Sequence, residues 1–141
     1  MNQRARTAGI TIIAALFSTM AIADNPSVPS LKDNMKNIGG IFKKINAETN
    51  DSSQNKQAAQ DAEELAKLFS TVQDQLPDSI ASLPIDQQPA ALTEFKSLIQ
   101  QEIDNAKALS QELLAGNNAA ALQTIKAMTA TKKEGHGQFA D

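Results

Sequence analysis

The sequence predicts an all-α protein, an antiparallel up-down-up-down four-helix bundle. The composition favours helices over strands, because Trp and Tyr are absent and valine occurs only at Val28 and Val72, while Ala, Leu, Gln and Lys are abundant. Four segments repeat apolar residues at spacings of three and four, which is the period of an amphipathic helix. Two short turns and one longer loop separate these segments. Consecutive helices are therefore expected to pack antiparallel to one another.

The first 23 residues have the features of a secretory signal peptide. Arg4 and Arg6 precede an apolar run, and Ala21-Ile22-Ala23 has the small-x-small form of a signal peptidase site. The run is shorter than the roughly 20 residues that span a bilayer, so no stable membrane anchor is expected. We assign residues 1-23 to a signal peptide that is removed and residues 24-141 to one helical domain.

Charge and cysteine content exclude several classes of function. Removing Arg4 and Arg6 from the 13 basic residues leaves 11 against 16 acidic residues, a formal net charge near −5. This balance argues against nucleic acid as a partner, since phosphate contacts need clustered Lys and Arg. The absence of cysteine excludes disulfides, a zinc-thiolate site and covalent haem attachment.

The first predicted helix runs from an N-cap at Ser30 to about Ala47. Its apolar residues follow the helical period: Leu31, Met35, Ile38, Phe42 and Ile45. Gly39-Gly40 interrupts this pattern at roughly 1 kcal/mol per glycine relative to alanine. The pair indicates either a weak point in the helix or room for a flat ligand beside Met35.

Three further helices follow. The second is predicted from about Ser53 to Leu76, where Pro77 ends it. Residues 77-88 form the longest loop, with a possible short turn at 80-83. The third begins at Pro89 and ends at Gly116, and the fourth starts near Asn118.

The acidic residues give no catalytic pattern. They lack the Glu-x-x-His spacing of di-iron bundles and are best interpreted as solvated helix faces: Asp61, Glu63, Glu64, Glu94, Glu102 and Asp104. The single histidine has no obvious Ser and Asp partners, and Gly39-Gly40 lacks the context of a phosphate loop. We therefore do not expect an enzyme.

His136, the only histidine, lies near the end of the fourth helix. On a helix it shares a face with Leu122, Ile125, Thr129 and Lys132, so its imidazole is expected to point at the neighbouring helices. A histidine in such a place is more often structural or solvated than a ligand.

Met35 gives His136 a plausible partner. In an up-down-up-down bundle the first and fourth helices are antiparallel neighbours, so Met35 and His136 should lie at the same end. A thioether and an imidazole facing one another suit the two axial positions of a haem iron. Methionine is also an ordinary core residue, so only the joint placement favours a ligand role.

The tripeptide Asp33-Asn34-Met35, the apolar residues that follow it, and a last helix ending in His136 together resemble the cytochrome b562 family. The resemblance covers essentially the whole mature chain, and this family is itself a standard example of the up-down-up-down bundle, so the architecture is not an independent prediction. It implies electron transfer in the periplasm by one non-covalent haem b, with Met35 and His136 as axial ligands. The implied pocket residues are Ile38, Phe42, Phe95, Ile99 and Lys132.

Two other interpretations of the sequence stay open. One is a haem-free exported bundle that acts as a binding or stress-related module, and the other is a bundle that sequesters a metal or a small apolar ligand. Gly135 and Gly137 flank His136 and should loosen the last helical turn, which bears on whether haem is retained. We expect a monomer or weak dimer, and the sequence leaves the redox partner protein unknown.

Overall fold

The computed structural model describes residues 28-140, and all regular structure in that range is helical. Its helices are α1 (Leu31–Glu48), α2 (Asn55–Val72), the one-turn α3 (Asp78–Ala81), α4 (Gln88–Leu114) and α5 (Asn118–Phe139), with a short 3-10 helix at Ser52–Gln54. The predicted signal peptide lies outside the described residues. No helix within residues 28-140 has the length and apolar character needed to cross a membrane.

Sequence signals at the helix ends act as predicted, with one difference. Ser30 caps α1 by accepting a hydrogen bond from the Asp33 backbone N–H, and Gly116 adopts a φ of 71° after α4. The second helix is shorter than predicted, because α2 ends at Val72 and a turn follows in which the Gln75 N–H donates to the Val72 carbonyl. Pro77 thus marks the start of α3 rather than the end of α2.

The four long helices form the predicted four-helix bundle. α1 packs on α2, α2 on α4 and α4 on α5, while α1 and α5 approach each other only loosely. Small side chains let α2 lie close to α4, since Ala58, Ala62 and Ala106 are fully buried between the helices. The larger core residues come from every helix: Ile45, Leu65, Phe69, Val72, Ile80, Ile103, Leu109, Leu113, Ile125 and Met128.

Hydrogen bonds hold one end of the bundle closed. Asn118, the first residue of α5, donates to the Thr49 carbonyl at 2.8 Å and shares a 2.8 Å side-chain hydrogen bond with Asn55. The Thr49 hydroxyl in turn donates to the Ile45 carbonyl. These contacts join the α1–α2 turn to the start of α5.

Candidate cofactor site

A cavity of about 820 Å³ lies at the other end of the bundle, between α1, α4 and α5. This volume falls within the roughly 300–1,000 Å³ of small-molecule and cofactor sites. The cavity occupies the space left where α1 and α5 do not pack against each other. It is bounded at the mouth by the turn after α2 and by α3.

Every residue that the sequence indicated for a cofactor lines this cavity. Ile38, Phe95 and Ile99 are buried, Met35 and Phe42 are half-buried, and Lys132 and His136 are exposed at its rim. Other lining residues escaped the sequence interpretation, among them Leu98, Met128 and Phe139. The cavity is thus lined by apolar side chains together with a thioether, an imidazole and an ammonium group.

The first turn of α1 fixes the position of Met35. Its neighbour Asn34 is buried, and the side-chain amide donates to the Gln75 side chain at 3.2 Å and to the Pro29 carbonyl at 3.4 Å. Gln75 also donates to Pro29, at 3.0 Å. The start of α1 is therefore tied to the turn after α2, and Met35 projects from an anchored turn.

The face predicted for α5 is partly wrong. The buried side chains of this helix are Ala121, Ile125 and Met128, whereas Thr129 is exposed and points away from the bundle. The most buried stripe is rotated by about one residue from the predicted one. His136 consequently lies at the edge of the packed face, where it borders the cavity and also reaches solvent.

The end of α5 is held in place despite its two glycines. The helix continues through Gly135 and Gly137 to Phe139, whose backbone carbonyl accepts a hydrogen bond from the Ser79 hydroxyl at 3.0 Å. The Phe139 ring packs edge-on against Phe95, with 5.6 Å between ring centroids. These contacts fix the turn that carries the histidine.

Glycines leave open space beside the two predicted ligands. A Cβ atom added to Gly39, which lines the cavity next to Met35, would meet nothing within 4 Å. On the opposite wall, a Cβ at Gly135 would come no closer than 3.9 Å to the Leu98 side chain. Gly39 therefore borders open space in the cavity beside Met35, as the interpretation of room for a ligand requires.

The prediction that the acidic residues are solvated is wrong for Asp61 and Glu102. Asp61 is buried and pairs with the Lys44 ammonium at 2.7 Å, which joins α1 to α2 away from the cavity. Glu102 is 5% exposed and lines the cavity, and its Oε1 atom has no hydrogen-bond partner. Burial raises the pKa of Glu102 to about 7, while the nearby Thr131 hydroxyl, which donates to the Ala127 carbonyl, opposes the rise.

The sequence did contain a signal for Glu102. The residue lies three positions after Ile99 and four before Ala106, on the apolar stripe of α4. A carboxylate at that position of the helical period is expected to face inward.

The residues present fit a haem better than a bare metal ion. No group of three or more His, Cys, Asp or Glu side chains suited to a metal occurs within residues 28-140. The two donors that do meet, a thioether and an imidazole, are those that bind haem iron as an axial pair. Apolar walls with the open space at Gly39 suit a flat macrocycle, and Lys132 offers a cation to acidic groups at the rim.

Comparison with known proteins agrees with this geometry. The family model described as Cytochrome b562 matches residues 30–140. No curated protein and no solved structure matches the chain.

Proposed function

The chain belongs to the cytochrome b562 family, and from this premise we propose that it is a periplasmic carrier of single electrons that binds one haem b non-covalently between Met35 and His136. The family is one of haem-binding, non-enzymatic electron-transfer bundles. The observation that carries the assignment of ligands is that both side chains line one apolar cavity.

Each part of the cavity has a role in this proposal. Bound haem supplies a one-electron couple at its iron. The Met35 thioether and the His136 imidazole hold the iron, and a Met/His pair raises the reduction potential relative to other axial ligands. Phe42, Phe95 and Ile99 exclude water, which favours the state of lower charge.

Two cations at the mouth suit the carboxylates of the haem. Lys32 of α1 and Lys132 of α5 are exposed and both line the cavity. Each can pair with a propionate without leaving solvent, so such pairing orients the haem more than it adds affinity.

The surrounding charge suggests the kind of redox partner. Beyond Arg4 and Arg6 the chain has a formal net charge near −5, so a partner with a basic docking surface is favoured by electrostatic steering. In this proposal the predicted signal peptide, residues 1-23, directs the chain to the periplasm, where the exchange takes place.

Hemin titration tests the proposal. We expect the purified mature chain to bind hemin at a ratio of one, with a shifted Soret band and a sharp α-band after reduction. A spectrum that remains that of free hemin would refute haem binding.

Ligand assignment needs matched variants. Met35→Leu should convert the bound haem to a high-spin form, whereas His136→Ala should largely abolish binding. Met128 is the proper control for Met35, because it is the other thioether lining the cavity, and Met128→Leu should keep the low-spin spectrum. Lys133→Ala controls for His136, since Lys133 is exposed on the same helix but does not line the cavity. Loss of the low-spin spectrum in Met128→Leu but not in Met35→Leu would move the ligand to Met128.

A further inference from the structure

Glu102 is the buried ionisable group of the cavity. It is 5% exposed, it projects from the middle of α4 into the space between the helices, and its Oε1 atom has no hydrogen-bond partner. A carboxylate in such a place is costly when charged, because little water reaches it and no cation is paired with it. The proposed haem-binding role makes no use of this residue.

The other ionisable groups of the cavity lie at its rim. They are Lys32 from α1, Asp78 from α3, and Lys132 and His136 from α5, and all of them are exposed. From α2 the cavity receives the uncharged Phe69. The neighbour of Glu102 on α5 is Thr131, a neutral hydroxyl group. No cation in the lining is therefore buried beside Glu102.

Along α4 and α5, Glu102 lies deeper in the cavity than His136. Phe95 packs on Phe139 and Leu98 lies opposite Gly135, so one turn further Glu102 is level with Thr131. His136 is more than one helical turn closer to the mouth than Thr131. Glu102 thus shares the cavity with the haem iron without being placed to bind it.

We propose that Glu102 couples electron transfer to proton transfer, taking up one proton when the haem in this cavity is reduced and releasing it on oxidation. This inference rests on the proposed haem-binding function. One electron from a one-electron redox protein would reduce the bound haem from the ferric to the ferrous state, and one proton from solvent would convert the Glu102 carboxylate to the neutral acid.

The physical reason is electrostatic. Ferric haem carries one net positive charge at its core, which stabilises a nearby carboxylate through the low-dielectric cavity. The electron removes that charge, so the carboxylate binds a proton more tightly in the reduced protein. Burial already raises the pKa of Glu102 to about 7, so the exchange falls in the physiological pH range.

The midpoint potential as a function of pH tests this coupling. The haem-loaded wild type should show a potential that falls as the pH rises from 5 to 9, whereas Glu102→Gln should lose most of that dependence and keep the potential of the wild type at pH 5. A tenfold difference in proton affinity between the two redox states corresponds to about 59 mV. We expect a difference of at least about tenfold.

Glu94→Gln is the matched control, because Glu94 lies on the same helix but is exposed and outside the cavity. It should titrate like the wild type. The haem propionates are the same in the wild type and in both variants. The contribution of Glu102 is therefore the difference in pH dependence between the wild type and Glu102→Gln.

A second readout identifies the proton itself. The infrared difference between reduced and oxidised protein should contain the carbonyl stretch of a protonated carboxylic acid in wild type and in Glu94→Gln, and lack it in Glu102→Gln. A pH-independent wild-type potential, or an unchanged slope in Glu102→Gln, overturns the coupling. If instead no haem-bound spectrum forms in wild type, the proposed function fails first, and the two failures are distinct.

Discussion

Because the Glu102 carboxyl group is buried, we expect the stability of the haem-free protein to depend on pH. Replacing Glu102 with Gln keeps the size of the side chain and removes its charge. Because the folded state raises the pKa of this group from 4.5 to about 7, it binds more protons than the unfolded state between those values. The wild type should therefore lose stability as the pH rises through that window, and the variant should not.

The magnitude follows from the same pKa. At about 1.4 kcal/mol for each pH unit, the change from 4.5 to about 7 corresponds to about 3.5 kcal/mol at most. Solvent that enters the open cavity screens the charge, so we expect about 2 kcal/mol. Glu102→Gln should be more stable than wild type by that amount near pH 9 and nearly equal to it near pH 4.

Urea denaturation of the haem-free protein, followed by circular dichroism at several pH values, measures this difference. Glu94→Gln should follow the wild type, because Glu94 is exposed on the same helix. If the stability curves of wild type and Glu102→Gln run parallel across this pH range, Glu102 is not buried in the charged form and the reasoning is wrong.

Four further substitutions test the fold by the same denaturation assay. Ser30→Ala should cost about 1 kcal/mol, because it removes the side-chain cap of α1. Gly137→Ala should stabilise α5 by up to about 1 kcal/mol, whereas Gly116→Ala should destabilise by a similar amount, since Gly116 has a φ of 71°. Asn118→Ala should cost about 1–3 kcal/mol by leaving the Thr49 carbonyl without its side-chain donor.

Each of these has a clear contrary result. A neutral Ser30→Ala would mean that the cap does not form in solution. If Gly137→Ala and Gly116→Ala changed stability in the same direction, the conformations assigned to the two glycines would be wrong. A neutral Asn118→Ala would show that water replaces the contact with Thr49.

The fold was predictable because its signals are local and repeated. Each long helix carries an apolar stripe at the helical period, and Ser30 and Gly116 mark helix ends by their own chemistry. Asn117 does the same for α5, since its side chain accepts a hydrogen bond from the Ala120 N–H. The end of α2 was missed because the turn at residues 73-75 is held by backbone hydrogen bonds that need no distinctive residue. The prediction therefore placed the end of the second helix just before Pro77, because proline cannot continue a helix.

Less of the candidate site than of the fold could be predicted from the sequence. Topology alone brings Met35 and His136 to one end of an antiparallel bundle, and the structure shows both at one cavity. The sequence could not predict which side of α5 is buried, because this alanine-rich helix has only a weak apolar stripe. Rotating the helix by one residue about its axis changes the buried apolar area little. Glu102 was missed for another reason. Glutamate side chains are usually exposed to solvent, and this expectation outweighed the position of Glu102 on the apolar stripe of α4.

The two ends of the bundle differ in the contacts that stabilise them. Asn118 fastens one end, while at the other the outermost helices α1 and α5 have only a cavity between them. A haem bound there would link Met35 to His136, two residues that are about a hundred positions apart in the sequence, as a long-range disulfide does in proteins that have cysteine. Unlike a disulfide, this bridge is lost on unfolding, so its contribution grows with the free haem concentration rather than with loop length. The lifetime of the folded chain would then follow the supply of its cofactor.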